Sequence, residues 1–311
     1  MPSALWAGEK YKGVSRRVTV ELQFDQWSYR FSCGLPQSMR SAFALDPFVR
    51  EEELCFLDRG RSSIVCRRKN GSAEVRDDEG RLVDYPGELS DSESIVSEIR
   101  EPRRFPELVE LRSTLLGWRF YHQFRTDADS PLRRPRIAVR TPVLSHDGAD
   151  LAAAIQTIRE IGDKEALDEA VADAFAGGKL EIDVTAGGME VQLWTREFKR
   201  PFAAAELSDG TLKYLCLLAA LLSPRPPTLL ALNEPDANLH PQLFEPLARL
   251  VARASQRSQL WITTHSERLA ELLQQHAAAL PIRLEKQAGA TTVLGVNADG
   301  RPPDDDEDED E

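Results

Sequence analysis

Leu207-Ser208-Asp209-Gly210-Thr211, Thr228-Leu229-Leu230-Ala231-Leu232-Asn233-Glu234-Pro235 and Leu260-Trp261-Ile262-Thr263-Thr264-His265-Ser266 follow one another in that order within residues 207–266. The second block is an aliphatic run of strand length that ends in an amide and a carboxylate. A strand of Leu and Ala packs between helices and delivers its last residues to the carboxyl edge of a parallel sheet, where ligands bind. The third block is another such strand and ends in a histidine. The first opens an apolar helical run, and its Ser-Asp-Gly turn leaves free N–H groups at the positive end of a helix dipole. Each block also has a plainer explanation. Ser208 suits an N-cap, Asn233-Glu234-Pro235 suits a turn, and a lone His265 suits a capping or surface position. The order, and the helix-length segments between the blocks, are what single them out together.

The three blocks resemble the C-terminal half of an ABC-type ATPase head: a signature motif, a Walker B strand and a switch histidine. Within that class the sequence is most similar to the SMC/RecF-like AAA-family ATPases of bacteria, whose Walker B block often continues into Leu-His-Pro, here Leu239-His240-Pro241. The resemblance implies a P-loop NTPase-like α/β fold, a mostly parallel sheet with flanking helices plus an antiparallel β-subdomain. It implies ATP and Mg²⁺ as cofactors and ATP hydrolysis as the activity. Glu234 is then the general base that orients water against the γ-phosphate, and His265 donates to that phosphate or to the water. Asn233 stands where the class usually has an Asp that holds a Mg²⁺-bound water. Its amide oxygen still accepts from that water but brings no charge, so metal affinity is expected to be weaker. Ser208, Asp209 and Gly210 would meet the phosphate of ATP held by the opposite protomer, which implies a homodimer through the signature face. The wider class often couples ATP-driven closure to DNA transactions such as repair, or to bacterial defence against foreign DNA. DNA or an effector protein is therefore an expected partner.

An ABC-type head also needs a P-loop, Gly-x-x-x-x-Gly-Lys-[Ser/Thr], whose amides and lysine hold the β- and γ-phosphates. The one Gly-Lys dipeptide, Gly178-Lys179, is followed by Leu180 and lies between a helix and a hairpin strand, the reverse of the required order. The P-loop strand and helix are thus missing here, and relatives would carry them upstream of Ala4-Leu5-Trp6-Ala7-Gly8. Neither Gln23 nor Gln37 is assigned to the glutamine that contacts the metal in such heads. The rival reading is an interaction protein that does not hydrolyse ATP, a head that has lost its P-loop. A further expectation follows: a strand edge and aliphatic surface left uncovered around residues 228–233 and 259–264.

Composition narrows the alternatives. The chain has 311 residues, 41% hydrophobic and 29% charged, as in an ordinary globular protein. Its net charge of −12 includes eight carboxylates in residues 304–311, which leaves −4 for the remainder. The body is not a generally basic nucleic-acid binder. Arg125, Arg133, Arg134, Arg136 and Arg140 make Gln123 to Arg140 basic, read first as a solvated loop and otherwise as a patch for nucleic acid or an acidic partner. Cys33, Cys55, Cys66 and Cys216 have neither metal-like nor disulfide-like spacing. No signal peptide or membrane-length apolar run is visible, so the expected location is cytoplasmic, without a membrane partner.

Periodicity divides the chain into four parts. Residues 1–100 read as antiparallel strands, with turns at Asp25-Gln26, Lys69-Asn70-Gly71 and Asp78-Glu79-Gly80 and a strand-like piece at 42–57 that includes Phe43. Residues 101–200 read as a linking part. A mobile connection over 86–104 leads into it, and it holds a helix over 106–116, a strand over 118–124, helices over 148–161 and 163–176, and a hairpin over 179–195. Residues 201–298 carry the three blocks, with a helix over 266–278 and strands near 282–286 and 291–296. Residues 299–311 read as an acidic tail that is expected to be disordered. No heptad array is present, which favours the compact, RecF-like side of the class.

Overall fold

Alternation of apolar and polar residues builds six strands in the first part of the chain: β1 (Arg17–Gln23), β2 (Trp27–Gly34), β3 (Phe48–Asp58), β4 (Arg61–Lys69), β5 (Ser72–Arg76) and β6 (Leu82–Asp84). They pair antiparallel in sequence order. The computed structural model describes residues 17–24, 26–35, 46–59, 61–77, 79–137, 139–185, 187–287 and 290–294. Expectations placed on residues 4–8, 25, 43, 78, 295–296 and 299–311 lie outside the described residues. The chain divides after Leu116 into two compact units.

In the first unit one sheet face packs Tyr29, Leu54, Cys66 and Val75 against Ile95 and Val96 of α1 (Ile95–Glu98) and Leu108 and Leu111 of α2 (Pro106–Gly117). The opposite face carries a row of alternating charge, Glu21–Arg30–Glu53–Arg67–Glu74, aligned across five strands. Arg30 pairs with Glu21 at 2.7 Å and Arg67 with Glu74. Each such cross-strand pair contributes only about 0.2–1 kcal/mol, and opposite charges are neighbours along the whole row.

The sequence suggests a mobile connection over 86–104, and here the structure differs. Glu52 and Arg68 are fully buried beneath that segment, 3.7 Å apart. Arg68 donates to the carbonyls of Asn70, Ser90 and Glu93, while Glu52 accepts from the Tyr29 and Ser94 hydroxyls and the Ile95 amide. Buried charges must be paired and hydrogen-bonded, and these two find their partners in the connection. They fix it in place, although its own residues show no periodicity.

The second unit begins with β7 (Arg119–Tyr121), shorter than the strand expected over 118–124. It continues through α3 (Leu151–Ile161), α4 (Lys164–Ala174), and the strands β8 (Lys179–Thr185), β9 (Gly188–Trp194) and β10 (Phe202–Ala203). Then follow α5 (Asp209–Leu221), β11 (Leu229–Asn233), α6 (Phe244–Ala254), β12 (Gln259–Thr263), α7 (Glu267–Ala277), β13 (Leu284–Gln287) and β14 (Ala290–Val293). Strands β8–β10 form an antiparallel sheet, and β13 pairs with β14. Parallel pairing among the described residues is confined to β7, β11 and β12, with β11 in the middle. Helix α5 is apolar on nearly every side and, Lys213 apart, buried from Leu212 through Leu221, so it forms the centre of this unit's core. Cys216, within it, is fully buried, and all four cysteines are free thiols.

Parallel sheets are normally covered on both faces. Here Leu230, Leu232 and Tyr121 are buried on one side, while on the other Phe120, Ala231 and Trp261 are register neighbours. Phe120 is 51% and Trp261 64% exposed. Strand β12 pairs only with β11 among the described residues. The uncovered edge and face expected around 228–233 and 259–264 are thus present only in part: β12 has a free edge and Trp261 and Phe120 are bare, whereas β11 is paired on both sides.

Candidate functional site

Strands β11 and β12 run parallel in register from Leu229↔Gln259 to Asn233↔Thr263, so their carboxyl ends lie side by side. The Thr263 hydroxyl donates to Asn233 Oδ1 at 2.8 Å. One residue on, the Glu234 amide donates to the Thr263 carbonyl at 2.9 Å, and the chain turns there with φ +44°. That left-handed conformation is uncommon for a residue with a Cβ. It aims the Glu234 carboxylate so that Oε1 lies 3.3 Å from Nε2 of His265. His265 is 91% exposed, so the pair faces solvent.

Two side chains that the sequence reading did not single out complete the cluster. Asp236 accepts from the Thr264 hydroxyl at 2.6 Å, which ties the segment after β12 to the turn after β11. Lys213, from α5, donates to the carbonyls of Glu234 and Ala237. Burial lowers the Lys213 pKa, against the opposing pull of the Asp236 and Glu234 carboxylates. A sequence signal exists only for Lys213, a lone cation inside the apolar run of α5; Asp236 reads as an ordinary turn residue.

The Ser208-Asp209-Gly210 turn does serve as a helix start. Ser208 is the N-cap of α5, and its hydroxyl accepts from the Thr211 amide at 3.2 Å. Gly210 is required by space, because a Cβ there would lie 2.6 Å from the Asn238 carbonyl oxygen. Asp209 pairs with Arg133 at 2.5 Å, and Arg133, 12% exposed, also donates to the carbonyls of Ala204, Ala205 and Leu207. The structure therefore brings Asn233, Glu234 and His265 together at one sheet edge. It joins the Ser208 turn to them through Gly210 and Lys213.

Other candidates resolve differently. His240 caps the following turn, its Nδ1 accepting from the Gln242 amide. Of the five arginines read as a possible patch, Arg125 pairs with Asp127, Arg133 with Asp209 and Arg140 with Glu160. A patch for nucleic acid is weakened accordingly. No group of three or more His, Cys, Asp or Glu side chains suited to a metal occurs among the described residues, and no described helix is long and apolar enough to cross a membrane.

The donors at the sheet edge fit one end of a Mg²⁺–nucleotide. Mg²⁺ takes hard oxygen ligands, keeps several waters and commonly relies on one or two carboxylates plus substrate phosphates. Asn233 Oδ1 and the Glu234 carboxylate offer such oxygens. Among the described residues of the site nothing equivalent is present for a β-phosphate, since Lys213 is engaged with backbone carbonyls.

Comparison with solved structures finds several SMC heads. The Smc head domain with a coiled coil and joint derived from Pyrococcus yayanosii is 19% identical, with a TM-score of 0.37, over 47% of this chain and 28% of that one. The SMC head domain from Thermotoga maritima is 16% identical, with a TM-score of 0.36, over 79% of this chain and 74% of that one. The Pyrococcus furiosus Smc head domain with an extended coiled coil, bound to the C-terminal domain of ScpA, is 12% identical, with a TM-score of 0.41, over 93% and 79%. This chain thus spans little more than a quarter of the first of these proteins. No curated protein matches the sequence. Residues 29–271, well over half of the chain, match the model of the family described as AAA domain, putative AbiEii toxin, Type IV TA system. That span contains all three blocks and the whole of the β11–β12 edge, and on it the chain belongs to this AAA domain family.

Proposed function

We propose that the second unit is the catalytic half of an ATP-hydrolysing head that works as a dimer with ATP between protomers. The observation that carries this reading is the meeting of Asn233, Glu234 and His265 at the carboxyl ends of two adjacent parallel strands. Such an edge is where α/β sheets bind ligands. Glu234 accepts a proton from, and orients, the attacking water. His265, beside it, donates to the water or to the phosphate it attacks. Asn233, its amide held in orientation by Thr263, would accept from a water of a bound Mg²⁺. The metal supplies charge neutralisation on the phosphates when bound. The Ser208 turn presents its free N–H groups to the nucleotide of the partner protomer. The Asp209 carboxylate would repel that phosphate, and its pairing with Arg133 offsets the repulsion.

Completion of the site calls for a P-loop borne on a strand and a helix. The free edge of β12 and the bare face at Phe120 and Trp261 suit such a pair of elements, the strand pairing with β12 and the helix covering the aromatic side chains. The same bare face favours a second reading, an interaction module that takes up its partner there and hydrolyses nothing. Titration of the purified chain with Mg²⁺–ATP, with and without an added P-loop segment, separates the two. Binding that reaches the micromolar range once the segment is present supports the ATPase head. A dissociation constant beyond the millimolar range under both conditions supports the interaction module. DNA or an effector protein is the proposed downstream partner.

A further inference from the structure

Glu234 and Asn238 both adopt left-handed backbone, at φ +44° and +63°, within one short turn. Two such residues close together persist only where the surroundings over-determine them. Part of that constraint lies in the turn itself, since the Ala237 amide donates to the Glu234 carbonyl and the Leu239 amide to the Asp236 carbonyl. The rest comes from α5. Lys213 Nζ lies 2.8 Å from the Glu234 carbonyl oxygen and 2.7 Å from that of Ala237, so one ammonium bridges the two ends of the bend. One turn earlier on the same helix, Gly210 packs directly against the Asn238 carbonyl. An ammonium brought half out of water needs such acceptors, and the carbonyls of a left-handed turn supply them.

We propose that Lys213 is a positioning residue for Glu234, holding its backbone in the left-handed conformation that aims the carboxylate at His265. The proposal rests on reading Glu234 as the general base. It also gives the Ser208 turn a physical link to that base. The two are connected through Gly210 and Lys213, in the first and second turns of α5.

The test is amide hydrogen exchange on the full chain without nucleotide, comparing the unmodified protein with Lys213→Met and Lys213→Arg. Methionine keeps the length and apolar stem of lysine but removes the donors. Arginine keeps a forked donor able to reach two carbonyls. Lys213→Met is expected to speed exchange of the Glu234, Ala237 and Leu239 amides by about tenfold or more, through local opening alone. Exchange across α6 should stay unchanged, and Lys213→Arg should restore most of the protection. Unchanged exchange at 234–239 in Lys213→Met overturns the proposal. So does an acceleration spread evenly over α5 and α6 with a matching fall in melting temperature, which is the mark of a purely structural lysine. Should Lys213→Met fail to accumulate folded, Lys213→Gln is read by the same criteria. Because no nucleotide is used, this result is independent of turnover. Retained ATPase activity in Glu234→Gln would remove the base reading beneath the proposal, and the exchange pattern would show which of the two had failed.

Discussion

Nε2 of His265 stands 3.3 Å from Oε1 of Glu234, and the two residues lie just past the ends of neighbouring parallel strands. A pair this open to solvent contributes at most about 1 kcal/mol to stability. Its importance lies in placement. The in-register pairing of β11 with β12, the Glu234 amide bond to Thr263 and the left-handed turn together put an acceptor and a donor around one point in space. An acid–base function needs that arrangement; folding does not.

Asn233→Asp should strengthen the requirement for Mg²⁺. The carboxylate keeps the bond from Thr263 that Asn233 Oδ1 now accepts, and it adds a charge for the hydrated metal. Hydrogen bonds to charged groups exceed neutral ones by about 1–1.5 kcal/mol, roughly a tenfold gain in metal affinity. Titration of Mg²⁺ into the nucleotide-bound head measures it. An unchanged or weaker requirement would mean that Asn233 does not face the metal.

The buried pair in the first unit makes a prediction of another kind. Arg68→Met leaves Glu52 buried without its countercharge and frees the carbonyls of Ser90 and Glu93. Breaking such a pair on one side costs about 3–5 kcal/mol. Replacing both partners by apolar residues should cost distinctly less. Urea unfolding followed in the first unit checks this, and equal losses in the single and double variants would contradict it.

How far the sequence speaks depends on where an element gets its order. Strand β11 and the helices α5 and α7 carry their own periodicity, and residues 228–233, the apolar run after Gly210 and residues 266–278 are legible within a residue or two. Residues 86–104 are not, because their order is imposed by Glu52 and Arg68, which belong to distant strands. A Glu or an Arg inside a strand reads as a solvent-facing position until its partner is known. The site divides the same way. Asn233, Glu234 and His265 follow from strand ends, whereas Asp236 and Lys213 acquire their roles only when α5, the Glu234 turn and Thr264 come together. The arginines of 125–140 read as free charge, yet Arg125, Arg133 and Arg140 are taken up by Asp127, Asp209 and Glu160.

Acid should loosen the approach to the Ser208 turn. Two bonds from Arg200 and one from the Ala203 amide hold the Glu206 carboxyl down, from the ordinary 4.5 to about 2. A carboxylate whose pKa is depressed on folding stabilises the folded state fully above the unfolded value. It loses that contribution as pH falls through the folded one. The stability difference between the unmodified chain and Glu206→Gln should therefore be constant above about pH 5 and shrink between there and about pH 2. Thermal melts of both proteins across that range measure it. A difference that does not change with pH would show that the Arg200 pairing is not made in solution.

The central claim is that Glu234 is the base of an ATPase site which a P-loop segment completes. Steady-state ATP turnover tests it most directly, measured on the chain alone and with a P-loop-bearing strand–helix segment supplied, each as the unmodified protein and as Glu234→Gln. The account predicts negligible turnover for the chain alone and clear turnover with the segment. It also predicts a loss of about 10²–10⁴-fold in Glu234→Gln, with any ATP-dependent dimer kept or longer-lived. Turnover by Glu234→Gln equal to that of the unmodified protein would contradict the assignment of the base, and robust hydrolysis by the chain alone would contradict the account of what completes the site.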